Sequence, residues 1–317
     1  MMEALKAKGI KKYYTPRGRT GLRGTLIKAV DGVDLTIPEE KIHSIVGETG
    51  SGKSTIGRIV AGLIEPTEGE VEVEGVDVFK SSKKEVKSLR KKVQIIFQDP
   101  YSSLNPRFTV RRIIEEPLKL NRISFNKEKI NEILNKVGLT PPEDFLNRYP
   151  HELSGGQRQR VSIARSFVIE PVFVVADEPV SMLDASMRVS FLDLIAEIQR
   201  ERKISMLLIS HDISIAYYLS TKINVLYLGK IVEFADREEL MTNPLHPYTK
   251  ALIQAVPKLG PVERKDVQIK GNIMTSSSNI EGCRFRDRCL YAMEICKTEE
   301  PRLIEAKNGH FVACHLY

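Results

Sequence analysis

Runs of mostly apolar residues recur along the chain, and each ends in a polar or glycine-rich stretch. Runs of this length are typical of parallel strands that are covered on both faces. The predicted strands lie at 42–46, 93–97, 171–178 and 204–210. Helical periodicity fills much of the sequence between them, and it is clearest where Ile130, Ile133, Leu134 and Val137 form one apolar face. An α/β core that contains an inserted helical segment is therefore predicted.

A second pattern, the alternation of apolar and polar residues, predicts half-exposed strands. Segment 69–75 alternates cleanly. Segment 24–30 belongs to an opening region, up to about Ile37, whose short alternating segments predict a small antiparallel sheet. Segments 222–229 and 230–234 predict a hairpin-like pair of strands.

The composition narrows this picture only slightly. The chain has 317 residues, of which 42% are apolar, which is enough for a sizeable core and exceeds one average domain. No run approaches the ~18 apolar residues of a membrane span, and the N-terminus lacks the apolar segment of a secretory signal, so a cytosolic location is expected. The net charge of +7 is too diffuse to indicate nucleic acid, a membrane surface or a nucleotide as the partner.

The strongest chemical signal is the glycine-rich stretch Gly47–Thr55, which reads GETGSGKST. It follows the strand at 42–46 and precedes a segment, 56–63, that is predicted to be helical, and this context distinguishes a phosphate site from an ordinary glycine turn. The loop amides and the helix N-terminus would surround a polyphosphate. Lys53 is expected to reach the β- and γ-phosphates, and the Ser54 hydroxyl to bind Mg²⁺.

Polar side chains follow the predicted parallel strands at the edge where such sheets bind ligands. Gln98 follows the strand at 93–97. Asp177 and Glu178 end the next strand, where Asp177 is expected to hold Mg²⁺ and Glu178 to polarise an attacking water. A surface acid pair is the alternative, but the strand before it is strongly apolar. His211 is either a satisfied polar group or a contact to the γ-phosphate.

Two weaker signals gain meaning beside a phosphate loop. Ser154 is a natural N-cap before Gly155 and Gly156, which predicts either an ordinary capped helix or a second anion-binding helix terminus. Tyr13 and Tyr14 are either packing residues or an aromatic platform for adenine.

The cysteines lie near the C-terminus, after a predicted short helix at 245–255 and a loop at 256–282. They are Cys283, Cys289, Cys296 and Cys314. Clustered thiols in a cytosolic chain indicate metal ligation before disulfides. The spacing Cys-x5-Cys-x6-Cys-x17-Cys differs from the short Cys-x2–4-Cys pairs of structural zinc. An iron–sulfur cluster, zinc and free thiols all stay open.

In their order and spacing these motifs resemble the ATP-binding subunit of an ABC transporter over roughly residues 1–235. The matching motifs are the phosphate loop 47–55, Gln98 of the Q-loop, the signature 153–157, the Walker B strand 172–178, the D-loop 181–184 and the switch histidine His211. The stretches that are similar to F-type subunits of oligopeptide/dipeptide (Opp/Dpp) importers are 97–107, 177–181, 226–233, 246–252 and 282–289. The resemblance thus covers nearly the whole chain.

The resemblance implies a fold and a domain division. The fold is α/β, with a P-loop (RecA-like) ABC ATPase core, an N-terminal antiparallel β subdomain, an inserted α-helical subdomain at about 101–158 and a C-terminal extension that contains the cysteines. The nucleotide-binding domain spans 1–235, and the Opp/Dpp-type extension spans 236–317.

The resemblance also implies a role for each motif residue. Alignment places the adenine-stacking aromatic at Tyr14, with Tyr13 as the alternative. Glu178 would take the proton of the attacking water, and His211 and Gln98 would complete the catalytic set. The expected ATP-binding residues are Tyr14, Gly47, Glu48, Thr49, Gly50, Ser51, Gly52, Lys53, Ser54 and Thr55. The expected Mg²⁺ ligands are Ser54, Gln98 and Asp177. The residues expected to meet the partner subunit's ATP are Ser154, Gly155, Gly156 and Gln157, and Asp184 belongs to the D-loop.

A chain with one phosphate loop and one signature motif cannot close its own site, because these motifs face opposite ways in ABC proteins. The resemblance therefore implies that ATP is bound between two subunits, the second being a D-type subunit in a heterodimer. It also implies two integral membrane permease subunits, an extracytoplasmic solute-binding protein, a peripheral position on the cytoplasmic face of the membrane and no nucleic acid. The activity would be hydrolysis of ATP to ADP and phosphate, coupled to import of peptides or a related solute such as an oligosaccharide.

For the cysteines, the resemblance implies a [4Fe–4S] cluster, which some Opp/Dpp-type subunits hold on this tail; Zn²⁺ is the alternative. Arg284, Arg286 and Arg288 would offset the negative charge of such a cluster.

The alternative function is a soluble ABC ATPase that acts on nucleic acid or ribosomes. DNA-repair members carry long heptad insertions and translation members carry two cassettes, and this sequence has neither feature. A nucleic-acid module would also need a concentrated basic face.

Overall fold

A computed structural model describes residues 2–15, 26–256 and 280–317. Within those ranges the chain forms twelve β-strands and twelve α-helices. The strands are β1 (Glu3–Tyr14), β2 (Ile27–Pro38), β3 (Ile42–Val46), β4 (Glu68–Val73), β5 (Val76–Asp77), β6 (Val93–Ile96), β7 (Phe173–Asp177), β8 (Ser205–Ser210), β9 (Lys222–Tyr227), β10 (Lys230–Asp236), β11 (Ile304–Lys307) and β12 (His310–Val312). The helices are α1 (Lys53–Val60), α2 (Lys83–Lys92), α3 (Pro100–Ser103), α4 (Val110–Leu120), α5 (Lys127–Lys136), α6 (Glu143–Leu146), α7 (Gly155–Phe167), α8 (Ala185–Glu201), α9 (Ile213–Leu219), α10 (Arg237–Thr242), α11 (Pro247–Gln254) and α12 (Ile295–Thr298).

The larger sheet has, among the described residues, the strand order β11-β12-β10-β9-β3-β8-β7-β6. Strands β9, β3, β8, β7 and β6 run parallel to one another. Along β7, Val174 and Ala176 face the core formed with α7 and α8, whereas Phe173 and Val175 face the core that contains α1 and the smaller sheet. Burial on both faces explains why the sequence of this strand is almost continuously apolar. The four predicted parallel strands and the hairpin of β9 and β10 are confirmed.

The smaller sheet is antiparallel, with the order β2-β1-β4-β5. On β2, Val33, Leu35 and Ile37 are buried, while the residues between them are exposed. The alternation in the sequence thus reflects one face packed on α1 and the larger sheet. The antiparallel N-terminal subdomain is confirmed, although residues 24 and 25 of the strand predicted at 24–30 lie outside the described residues.

The helical subdomain consists of α3 to α6, which follow β6 in the chain and pack against α7. The apolar face that was predicted on α5 is buried, since Ile130, Ile133 and Leu134 are each at most 3% exposed. These residues share one core with Phe167 of α7. Of the helices in the described ranges, none is both long and apolar enough to cross a membrane.

The C-terminal residues complete the larger sheet. Strand β12 pairs with β10, placing Val312 opposite Glu233. Both Glu233 and His310 are fully buried, and Nε2 of His310 lies 2.7 Å from Oε1 of Glu233. The division predicted after residue 235 stays a prediction; the sheet takes strands from both sides of it. Helix α11 confirms the helix predicted at 245–255, and most of the loop predicted after it (257–279) lies outside the described residues.

Candidate nucleotide-binding site

The phosphate loop connects β3 to α1. Gly50 and Gly52 both have positive φ, of 82° and 108°. A Cβ atom at Gly52 would lie 2.1 Å from the carbonyl oxygen of Ala29 on β2, so the loop passes too close to this strand for any side chain. Because Gly52 precedes the first residue of α1, the loop turns directly into a helix whose first amides point toward it.

The side chain of Lys53 lies inside this loop. Its Nζ donates hydrogen bonds to the carbonyl oxygens of Gly47, at 2.7 Å, and Glu48, at 2.9 Å. Burial lowers the pKa of the Lys53 amine, and the nearby carboxylates of Glu178 and Asp177 oppose that change. The loop therefore holds a buried cation whose hydrogen bonds, within the described residues, go to neutral carbonyl oxygens, an arrangement that favours an incoming anion.

Ser54 and Asp177 form the second part of the site. The Ser54 hydroxyl donates to Oδ1 of Asp177 at 3.0 Å, which joins the start of α1 to the end of β7. Burial raises the pKa of Asp177, and the hydrogen bond from Ser54 opposes that rise. A hydroxyl beside a carboxylate is the kind of oxygen pair that binds Mg²⁺ near nucleotide phosphates.

Glu178 lies at the centre of three adjacent strand ends. Its Oε2 accepts a hydrogen bond from Nε2 of Gln98 at 2.9 Å and lies 3.1 Å from Nδ1 of His211. The backbone of Glu178 has a φ of 47°, so the chain turns sharply after β7. The structure thus brings together all three residues that the sequence predicts to be catalytic.

The signature residues form a capped helix start. The Ser154 hydroxyl accepts the Gln157 amide at 3.2 Å, and the Gln157 side chain accepts the Ser154 amide at 3.0 Å. Gly155 is exposed, and a Cβ atom there would have open space. Within the described residues, this helix start makes no hydrogen bond with the phosphate loop. Asp184, at the N-cap of α8, is also exposed.

The two tyrosines at the end of β1 have different surroundings. Tyr13 donates its hydroxyl hydrogen bond to Asp31, and burial raises its pKa. Tyr14 is 40% exposed, and its ring is approached by Nζ of Lys12 at 5.6 Å. Tyr14 therefore offers the more accessible ring, as expected of a residue that stacks on a base, and its role stays a prediction.

All four cysteines are free thiols. Each accepts a backbone amide hydrogen bond, from Phe285, Tyr291, Met293 and Leu316 respectively. Burial raises the pKa of Cys283 to about 11, and the other three thiols add to this rise. Across the described ranges, however, no three or more His, Cys, Asp or Glu side chains are arranged to hold a metal ion. The expected iron–sulfur cluster and zinc therefore find no support in the side-chain geometry.

Arginines near the cysteines have partners that the sequence did not reveal. Arg288 pairs with Glu48 of the phosphate loop, and Arg284 pairs with Asp31 of β2. Arg286 donates to the carbonyl oxygens of Glu281 and Lys297, and its Nε lies 3.5 Å from Oδ1 of Asp287. The expectation that all three arginines offset thiolate charge is wrong for Arg284 and Arg288, because each is already neutralised by a carboxylate.

Tyr248, in the stretch 246–252, also contacts the phosphate loop. Its hydroxyl accepts a hydrogen bond from the backbone amide of Glu48.

Comparison with known proteins relates the whole chain to one group. The sequence profile of the family described as ABC transporter matches residues 30–181, and that of the oligopeptide/dipeptide transporter C-terminal region matches residues 232–296. The oligopeptide transport ATP-binding protein AppF of Bacillus subtilis is 44% identical over 99% of this chain and 97% of its own length. The dipeptide transport ATP-binding protein DppF of Haemophilus influenzae is 42% identical over 98% of this chain and 95% of its own length.

A solved structure extends this similarity to three dimensions. The ATP-binding cassette MJ0796, in a dimeric post-hydrolysis state bound to ADP and phosphate, superposes with a TM-score of 0.65 at 31% identity. The match covers 74% of this chain and 98% of the other. The α/β fold and the ABC ATPase core expected from the sequence are confirmed.

Proposed function

The chain belongs to the ABC transporter family, as an ATP-binding subunit of the oligopeptide/dipeptide type, and we propose that its site hydrolyses ATP to power the import of peptides. The observation that carries this function is the meeting of Gln98, Glu178 and His211 at the sheet edge that also bears Lys53 and Asp177. A carboxylate, its two polar partners and a buried cation around one point support this proposal, because they are the kinds of groups that phosphoryl transfer requires.

In the proposed reaction, water attacks the γ-phosphorus and the bond to the bridging oxygen of ADP breaks. The Glu178 carboxylate accepts the proton of the attacking water. His211 and Gln98, which already contact Glu178, hold that carboxylate and the γ-phosphate in position. Lys53 and the amides of the loop neutralise charge on the phosphates. Mg²⁺, held by Ser54, Gln98 and Asp177, would supply further charge neutralisation and orient the phosphates.

The rest of the pocket comes from a second subunit. The start of α7, where Ser154 and Gly155 are exposed, would meet ATP held by the phosphate loop of that subunit. The residues expected at this contact are Ser154, Gly155, Gly156 and Gln157. Asp184 would lie at the same contact. The dimeric state of the MJ0796 cassette supports this arrangement. We infer that the second subunit is a distinct, D-type ATP-binding protein.

Coupling to transport requires membrane partners. The names of AppF and DppF support oligopeptides or dipeptides as the transported solute, with a related solute such as an oligosaccharide as the alternative. The chain would bind two permease subunits from the cytoplasmic side of the membrane and serve an extracytoplasmic solute-binding protein through them.

A [4Fe–4S] cluster on the four cysteines is a separate proposal, with Zn²⁺ as the alternative. It is supported by the backbone amide hydrogen bond to each sulfur. Backbone amides commonly tune cluster thiolates in this way. The test is to purify the chain anaerobically and to measure its metal content and visible absorbance. The Cys289→Ser variant is measured in the same way for comparison. Brown colour with iron supports the cluster, whereas a colourless sample that contains zinc contradicts it.

The function itself is tested on the complex that co-purifies with the tagged chain. In sealed vesicles loaded with MgATP, this complex should take up labelled peptide, and Glu178→Gln should abolish the uptake. Glu197→Gln, which changes an exposed carboxylate paired with Lys136, is the matched control and should transport normally. Absence of membrane subunits from the purified complex, or stimulation of ATP hydrolysis by nucleic acid, would contradict the proposal.

A further inference from the structure

The segment that carries the first two cysteines (283–289) touches the phosphate loop through one buried ion pair. Arg288 Nη1 lies 2.7 Å from Oε2 of Glu48, and Nη2 lies 2.9 Å from Oε1, so the pair is bidentate. The side chain of Arg288 is 8% exposed and that of Glu48 is 21% exposed. The two residues are 240 positions apart in the chain. Paired groups with this geometry and burial interact much more strongly than surface ion pairs.

The same loop residue is held at its backbone. The Glu48 amide donates to the hydroxyl of Tyr248, at 2.9 Å, and Tyr248 is fully buried. Tyr248 packs against Tyr227 and Phe285, and the Arg288 guanidinium lies 5.7 Å from the Tyr227 ring centre. The C-terminal extension thus fixes both the backbone and the side chain of Glu48.

A second arginine of the segment reaches the other end of the site. Arg284 pairs with Asp31 on β2, and Asp31 also accepts the hydroxyl hydrogen bond of Tyr13, the neighbour of Tyr14. Arg284 also donates to the carbonyl oxygen of Leu228, next to Gly229, whose amide donates to Ser51 of the phosphate loop at 2.8 Å. The segment therefore contacts elements at both the phosphate end and the predicted adenine end.

The negative charge of Glu48 explains why the phosphate loop needs Arg288 as a partner. A carboxylate in a loop that binds polyphosphate repels the ligand, and burial strengthens this repulsion because the effective dielectric constant is low. The bidentate guanidinium neutralises the carboxylate and limits its motion. Without Arg288, the loop would carry an unpaired anion beside the phosphates.

We propose that Arg288 is a positioning residue of the ATP site: it neutralises and orients Glu48, so that the C-terminal extension sets the ATP affinity of its own subunit. The proposal rests on the proposed function only in taking ATP as the ligand. By linkage, ATP bound to the loop should in turn stabilise the segment 283–289.

The test measures the affinity of the full-length chain for a fluorescent ATP analogue with Mg²⁺. Arg288→Gln should weaken binding about tenfold. Glu48→Gln in the same chain should restore most of that affinity, because it removes the unpaired charge, and Arg288→Lys should bind with intermediate affinity. Arg286→Gln changes an arginine of the same segment whose partners are the carbonyl oxygens of Glu281 and Lys297 and the carboxylate of Asp287. It is the matched control and should bind as the wild type does.

Several outcomes would overturn the proposal. The first is an affinity of Arg288→Gln for the analogue that equals that of the wild type. The second is an equal loss of affinity in Arg288→Gln and Arg286→Gln. The third is a failure of Glu48→Gln to restore the affinity of Arg288→Gln. Failure of the wild-type chain itself to bind the analogue would instead contradict the proposed function, so the two failures are distinct.

A measurement on the wild-type chain covers the case in which Arg288→Gln does not fold. Hydrogen exchange of backbone amides, with and without MgATP, reports on the segment directly. We expect ATP to slow exchange in the phosphate loop and also at residues 284–289. Protection of the loop with unchanged exchange at 284–289 would contradict the coupling.

Discussion

Nδ1 of His211 lies 3.1 Å from Oε2 of Glu178, although the two residues follow different strands of the larger sheet. Strands β7 and β8 are adjacent and parallel, so their carboxyl ends lie side by side. The contacts with Gln98 and His211 orient the Glu178 carboxylate. The pairing of β7 with β8 therefore sets the distance between these two side chains, so part of the proposed catalytic geometry is built into the sheet.

The first prediction concerns Glu178→Gln. Glutamine keeps the size of the side chain but cannot accept the proton of the attacking water, so hydrolysis should fall by about 10²- to 10⁴-fold. ATP affinity should change little, because Lys53 and the loop are untouched. Phosphate release by the complex and equilibrium binding of an ATP analogue measure the two effects separately. A normal turnover rate in the variant would rule out Glu178 as the base.

The second prediction concerns Lys53→Ala. Hydrogen bonds to charged groups are worth about 1.5–3 kcal/mol, so ATP affinity should fall about ten- to hundredfold. The free energy of unfolding should not fall, because the variant loses a buried cation whose hydrogen bonds, within the described residues, go to neutral carbonyl oxygens. Binding titration and urea unfolding check both parts. A large loss of stability would mean that the lysine holds the loop together instead of awaiting a phosphate.

The third prediction concerns His246, whose Nδ1 accepts the Tyr248 amide at 3.0 Å. Burial lowers the pKa of His246 from 6.5 to about 3, so between these values the unfolded chain binds a proton that the folded chain does not. Stability should therefore be complete above about pH 6.5 and fall with acidification, by at most about 1.4 kcal/mol per pH unit for this group. Burial also lowers the pKa of His43, to about 4, which adds to the same trend.

His246→Asn isolates the contribution of this histidine. The asparagine oxygen can still accept the Tyr248 amide as an N-cap, but it does not titrate. Urea unfolding at about pH 5 and about pH 7 should show a weaker pH dependence in the variant than in the wild type. His151→Asn, at an exposed position, should leave the dependence unchanged. An unchanged pH dependence in His246→Asn would contradict the assignment.

The sequence predicts the larger sheet well because its signals are local. The residues of β7 are almost all apolar, and strands buried on both faces need that composition. The glycine loop likewise predicts the start of α1, although the helix begins at Lys53 and not at residue 56. Helix α2 is not among the predicted elements, although it begins with a capping box between Ser82 and Glu85.

Other features could not be predicted because no local pattern encodes them. The four residues of β11 are all exposed, and β12 has only three residues, too few to show alternation. The pairing of Arg288 with Glu48 joins distant parts of the chain, and nothing near either residue indicates the other. Such contacts depend on how the extension packs on the core.

The fourth prediction concerns Gly155→Asp at the start of α7. A Cβ atom there has no heavy atom of the described residues within 4 Å, so folding and ATP binding to the subunit's own phosphate loop should be preserved. The added carboxylate would face phosphates held by the second subunit and repel them. ATP hydrolysis by the complex should therefore fall at least about tenfold, and analogue binding to the isolated variant should match the wild type. Loss of analogue binding in the isolated variant would contradict the separation of the two halves.

The proposed mechanism requires that this chain supply only half of each ATP pocket. The direct test is the rate of phosphate release, measured together with molar mass by light scattering, for the chain alone and for the chain with its co-purified subunit. We predict that the monomer hydrolyses ATP slowly and that the rate rises when a dimer forms. A chain that stays strictly monomeric and hydrolyses ATP as fast as the complex would contradict the claim.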